Sequence, residues 1–122
     1  MNRTTLLAAC VFAVVVPLSS VAQDLAATAG KQAKVVLDND KVRVIQLDIA
    51  PGGKTGMHSH RDHVVIYLKG GDAMQTMPDG TRASRHADDG QVIWSDPVTH
   101  ETVNAGKTPV KVLVVELKDS GT

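Results

Sequence analysis

From residue 34 onward, short apolar segments recur at close intervals, each bounded by Gly, Pro, Asn or Asp. This rhythm constrains the fold more than any other feature, because a chain punctuated so often leaves no room for long helices. Beyond residue 22 no stretch sustains a 3.6-residue apolar period over three turns, and no internal repeat or low-complexity tract is present. An all-β barrel or sandwich remains.

The individual segments can be placed. Val35 to Leu37 is the first. Arg43 to Ile49 alternates, with Ile45, Leu47 and Ile49 on one face and Val44, Gln46 and Asp48 on the other, and Pro51-Gly52-Gly53 closes it. Further strands are predicted at Met57 to His60, His63 to Lys69, Ala73 to Met77, Thr81 to His86, Gln91 to Trp94, His100 to Asn104 and Val110 to Leu117. Gly70-Gly71 lets the chain reverse. Met77-Pro78-Asp79-Gly80-Thr81 predicts a hairpin, since Pro fixes its own φ and Gly accepts the positive φ of such turns. Residues 23–33, rich in Ala, Thr and Gly and without this rhythm, read as a flexible leader ahead of a barrel domain at 34–119.

The first 22 residues read differently. Arg3 gives a basic start, Leu6 to Val16 an apolar centre, and Ser20 and Ala22 a small-residue exit, the pattern of a secretory signal peptide over 1–22. Cleavage near Ala22 would deliver a periplasmic or secreted protein. The apolar run falls short of the roughly 20 residues that cross a bilayer, so no stable membrane anchor is expected. Leu7-Ala8-Ala9-Cys10 has the look of a lipobox, but too little apolar sequence precedes Cys10 and the run continues past it.

Composition narrows the chemistry. Cys10 is the only cysteine, so a chain starting at Gln23 has no thiol for disulfides, catalysis or metal binding. Only Tyr67 and Trp94 are aromatic beyond residue 22, which leaves Val, Ile and Leu to build the core. Lys and Arg total 13, as do Asp and Glu, so no summed field favours nucleic acid or an anionic membrane surface.

The five histidines all lie between positions 58 and 100, and three fall within His58-Ser59-His60-Arg61-Asp62-His63. On a strand, side chains at i and i+2 share a face roughly 7 Å apart, so His58 and His60 can converge on one ion. His63 has the opposite parity and reaches that face only if the chain kinks at Arg61-Asp62. A His-x-His pair alone is more often two exposed side chains than a site. His100, beyond another turn and four residues before Asn104, adds to the cluster. His86 lacks a partner at metal spacing and reads as a surface residue, and Asn104 reads as a turn-pinning residue. Glu101 should point away from His100, while Glu116 shares a face with Val112 and Val114, its direction undecided. Arg43, Arg61 and Lys69 read as a solvated face.

With these residues in place, the chain resembles a small cupin. Gly52, five residues, His58-Ser59-His60 and a closing Gly70 match the first cupin motif, with His63 where the family usually has Glu and a spacer one residue short. Gly90 and His100-Glu101-Thr102-Val103-Asn104 match the second motif, although Asp96-Pro97-Val98 stands in place of its Pro-x-Gly and that stretch is also one residue short. The run His-Ser-His-x-Asp-His-Val-Val and the later Trp-x-x-x-Val-Thr-His are similar to exported bacterial cupins of unsettled activity. The resemblance implies a cupin-type double-stranded β-helix, a small jelly-roll barrel, with a metal inside bound by His58, His60 and His100. Whether His63 completes the site as a fourth nitrogen ligand stays open. A site built of nitrogen favours a divalent transition metal such as Fe, Mn, Ni, Zn or Cu over magnesium or calcium.

Three functions compete. One is a metalloenzyme of dioxygenase, lyase or isomerase type acting on an unidentified small molecule. The second is a non-catalytic metal- or ligand-binding or sensing module of the cell envelope. The third is a barrel without metal whose histidines bind a ligand directly or have no joint role. A homodimer is expected, because a free sheet edge and an apolar last strand are liabilities in a lone barrel.

Overall fold

The computed structural model describes residues 23–119, so the expected signal peptide at 1–22 lies outside the described residues. The strands are β1 (Ala33–Asp38), β2 (Val42–Ile49), β3 (His58–His60), β4 (His63–Lys69), β5 (Gly71–Thr76), β6 (Arg82–Ala87), β7 (Val92–Ser95), β8 (Val98–Asn104) and β9 (Val110–Leu117). They form a five-stranded sheet ordered β1-β2-β9-β4-β7 and a four-stranded sheet ordered β3-β8-β5-β6. This is an all-β barrel, as the punctuated apolar pattern predicts, in the jelly-roll form that the resemblance implies.

Period-two alternation builds the interior. Ile45, Leu47 and Ile49 on β2 and Val112 and Val114 on β9 are buried and form one cluster. Register aligns them in rows across the sheet, with Ile45 opposite Val114 and Val114 opposite Val65. The next inward row toward one end of the barrel is polar, with Arg43 opposite Glu116 and Glu116 opposite His63. The switch from apolar to polar along the same face puts the chemistry at one end of the barrel.

The turns behave as their residues dictate. Gly80 closes the β5–β6 hairpin at φ 87°, and the Met77 amide donates to the Thr81 carbonyl across 2.8 Å. Gly70 is needed for a different reason. A Cβ there would lie 2.0 Å from the Ala87 carbonyl oxygen, so only glycine lets β4 turn into β5 against the end of β6. Asn104 pins the β8–β9 turn to the end of β2, as its side-chain amide donates to the carbonyls of Ile49 and Thr108, each at 2.9 Å, and its Oδ1 accepts from Gly106.

The leader reading of 23–33 needs correction. Leu25–Thr28 forms a helical turn (α1) and Gly30–Gln32 a 3₁₀ turn, and Leu25, 1% exposed, is a member of the core cluster. The segment is docked along its length: the Gln23 carbonyl accepts from the Ser59 amide, and Gln32 donates to the Lys54 carbonyl. Gly56 also abuts Thr28, where a Cβ would come within 3.1 Å of its side chain. One leucine in an Ala-rich tract has no neighbours with which to show a period, yet burying it is worth about 2 kcal/mol.

Candidate metal centre

The register of β3 on β8 sets His58 directly opposite His100, and His60 follows two residues along β3 on the same face. All three are buried, and each offers a ring nitrogen such that the three nitrogens lie within 4.8 Å of one another. His63 enters from across the barrel. Arg61 and Asp62 carry the chain from the four-stranded sheet, which holds β3, to the five-stranded sheet, which holds β4. The break expected at Arg61-Asp62 is therefore a change of sheet, and it returns His63 to the interior despite its odd spacing. His63 lines the same cavity, but its ring stacks on His60 at 4.2 Å and 28°, and it is not part of the close group of three.

Hydrogen bonds fix the tautomers. The Nδ1–H of His58 donates to the Gly56 carbonyl at 2.7 Å, that of His63 to the Arg61 carbonyl at 2.7 Å, and that of His60 to Glu116 Oε1 at 3.1 Å. A carbonyl or carboxylate can only accept, so each of these rings, when neutral, is left with a bare lone pair on Nε2. The Nε2 atoms of His58 and His60 face each other at 2.8 Å. Two lone pairs at that distance repel unless a cation lies against them.

A proton is a poor cation at His58, His100 and His63. Burial, opposed by the Gly56 carbonyl and the Glu116 charge, pushes His58 down to about 4. Burial and the neighbouring rings push His100 down to about 3, and burial also lowers His63. The Nδ1 of His100 is buried and has no hydrogen-bond partner among the described residues. Convergent imidazoles, two of them, His58 and His60, oriented by outer hydrogen bonds, are the donor set of a transition-metal ion, and the residues fit one.

Glu116, Arg43 and Asp24 stand behind the histidines. The other oxygen of Glu116, Oε2, accepts from Arg43 Nε at 3.0 Å and Nη2 at 2.9 Å, and Arg43 also pairs with Asp24 at the start of α1. Burial works to raise Glu116, but the hydrogen bonds from His60 and Arg43 outweigh it and hold the carboxyl below its ordinary value. Arg43 is therefore a part-buried bridge instead of the solvated residue expected from sequence. Glu101 is absent from this network. His86 is exposed as expected and lies between Asp72 and Asp88, which raise its pKa.

The histidines open onto an internal cavity of about 90 Å³, walled by Leu25, Leu47, Val65, Tyr67 and Val112 among others. Its size suits a molecule of a few heavy atoms, and its walls are mainly hydrocarbon and imidazole, with Thr55, Gln75 and Arg85 among the polar residues that line it.

A family model described as "Cupin domain" matches residues 46–116, a span that carries all four inward histidines. The chain belongs to the cupin family. This cupin is 32% identical over 85 residues, covering 69% of its own chain and 90% of the relative, to the beta-alanine degradation protein BauB of Pseudomonas aeruginosa. Among solved structures it is similar to a cupin domain from Bordetella pertussis, with a TM-score of 0.66 and 28% identity, covering 71% of this chain and 92% of that one. The polyketide cyclase RemF from Streptomyces resistomycificus shares the fold at a TM-score of 0.56 and 20% identity, covering 75% and 68% of the two chains. Sequence reasoning located the four histidines of this cupin but not Asp24, Leu25 or Arg43. The only signal for the outer carboxylate was the shared parity of Glu116 with Val112 and Val114.

Proposed function

We propose that this cupin is an exported metalloprotein that holds one divalent first-row ion, Fe, Mn, Ni, Zn or Cu, on His58, His60 and His100 and acts on a small molecule in the adjoining cavity. The single observation that carries the reading is the 2.8 Å approach of two Nε2 lone pairs beside a third buried imidazole. An ion bound by three nitrogens would supply Lewis acidity and an open position facing the cavity. The protein's own groups do the rest. Glu116 orients His60, His63 supports that ring by stacking instead of ligating, and the apolar walls exclude water.

The cavity volume favours a substrate of about six heavy atoms or fewer, and a dioxygenase, lyase or isomerase type of reaction is compatible with that size. Leu25 in the cavity wall favours a second reading, a closed binding or sensing module that retains its ligand without turning it over. Export rests on the basic, apolar and small-residue order of 1–22, and a mature N-terminus at Gln23 in a periplasmic fraction would test it.

The deciding experiment is metal content per chain of the untagged protein, purified without chelator, beside His58→Ala and His100→Ala. Near one ion per chain in the parent and little in either variant is the expected result. A parent that takes up none of the five metals when they are supplied would overturn the reading. With metal bound, turnover of small candidate substrates under air and under argon separates enzyme from binding module.

A further inference from the structure

The cavity that holds the histidines also carries a cation, on a different strand. β6 pairs with β5 alone and is an edge of the four-stranded sheet. Register fixes which of its side chains face inward. The buried Ala87 lies opposite Gly71, and Arg85 lies opposite Ala73, whose other partner is the buried Asn104. Side chains two apart on a strand share a face, so Ala83, Arg85 and Ala87 face the interior while Arg82, Ser84 and His86 face out. Arg85 and Gln75 both line the cavity, and Arg85 is exposed, which puts it at the mouth.

Arg85 has no ion-pair partner among the described residues, although Arg43 and Arg61 both do. Asp72, on the outer face of β5, and Asp88 are bonded to His86. Arg85 instead donates from Nε to Gln75 Oε1 at 3.3 Å. An arginine only donates, so the oxygen of Gln75 is turned toward it, and the two N–H bonds of Gln75 Nε2 remain for an acceptor. Guanidinium and amide therefore present donors side by side.

We propose that Arg85 and Gln75 bind the carboxylate of a small organic acid whose other end reaches the histidines. The planar fork of a guanidinium matches a carboxylate in two parallel hydrogen bonds. Gln75 pairs with Thr102, the next inward residue after His100 on β8, so it stands about 7 Å along and about 4.8 Å across from His100. Side chains reaching in from both ends shorten that gap to the length of a molecule that a cavity of about 90 Å³ can hold. The proposal rests on the reading that this cavity receives a small molecule, but its guanidinium end needs no ion. An inward charge on an edge strand also deters a further strand from pairing there, and that role asks nothing of Gln75.

The test is titration of the isotope-labelled chain with propanoate and with its neutral isostere propanamide, followed by nuclear magnetic resonance on the Gln75 side-chain amide, for the parent, Arg85→Gln and Arg85→Lys. Circular dichroism, metal content and sedimentation velocity are measured on the same samples. The parent is expected to bind propanoate at least about tenfold more tightly than propanamide, as a charge-assisted hydrogen bond requires. Arg85→Gln should lose that preference at parent-like metal content, and Arg85→Lys should recover part of it. A parent that binds neither compound, or both alike, would overturn the proposal whatever its metal content. So would a preference retained in Arg85→Gln, which would assign the carboxylate to the histidine end. A change confined to self-association would make Arg85 a guard of the β6 edge and overturn it too. A parent that holds no metal and still prefers propanoate would sustain the proposal while removing the ion.

Discussion

Glu116 divides its two carboxylate oxygens between His60, whose Nδ1–H it accepts at 3.1 Å, and Arg43, which approaches the other oxygen with two nitrogens. The carboxylate is thus an orienting group for a histidine instead of a ligand. It also lies 56 residues from His60 in sequence, so the last strand completes the site begun by the third.

Glu116→Gln keeps the shape and removes the charge. Outer partners of metal-binding histidines are worth about 10–100-fold in metal affinity. A loss in that range, measured by competition with a chromophoric chelator, is expected while secondary structure is retained. Parent-like affinity would mean that Glu116 serves Arg43 alone.

Leu25→Ala probes the docked N-terminal segment. A buried leucine truncated to alanine costs about 2–5 kcal/mol, and the low end is expected because a terminal segment can relax or undock. Urea unfolding of the parent and variant measures this, and an unchanged midpoint would return residues 23–33 to the role of a loose leader.

The metal-free protein should lose stability as the solution is acidified from pH 6.5 toward pH 4. His58 and His100 are depressed to about 4 and about 3 in the folded state, whereas in the unfolded chain they titrate near the ordinary histidine value of 6.5. Between those limits the unfolded chain binds more protons, so stability is fully present above pH 6.5 and declines below it. The slope is about 1.4 kcal/mol per pH unit for each such histidine. Asp24, lowered by its hydrogen bond from Arg43, adds to the loss only below its ordinary value of 3.8, where the unfolded chain takes up the proton before the folded one does. Denaturant midpoints at pH 7.5, 6 and 5 test the sign, and a double variant His58→Gln/His100→Gln should flatten the dependence.

Asn104→Ala should destabilise by about 2–4 kcal/mol, because it leaves the Ile49 carbonyl, the Thr108 carbonyl and the Gly106 amide without their side-chain partner. Asn104→Asp should rescue little, since a carboxylate cannot donate to either carbonyl. Thermal unfolding of the two variants provides the comparison.

The strands were legible because their apolar residues alternate between turn residues, as Ile45, Leu47 and Ile49 do before Pro51-Gly52-Gly53. The shared face of His58 and His60 followed from the same period. The return of His63 followed only in part: a kink between His60 and His63 could be expected, but a change of sheet is a property of topology, which no local pattern encodes. The Arg43–Glu116 contact spans 73 residues and joins β2 to β9, so neither residue's neighbours announce it. Leu25 was hidden for the opposite reason, as one side chain filling a gap leaves no periodic trace.

The position of β9 has a consequence for how the molecule is made. The last strand of the chain lies between β2 and β4, in the interior of its sheet. Until it is synthesised, those two strands have no common neighbour, and Glu116 is missing from the site. Assembly of the sheet is therefore settled when β9 inserts and brings Glu116 to Arg43, which also holds Asp24. A chain released before β9 would lack both the strand that joins β2 to β4 and the carboxylate behind His60.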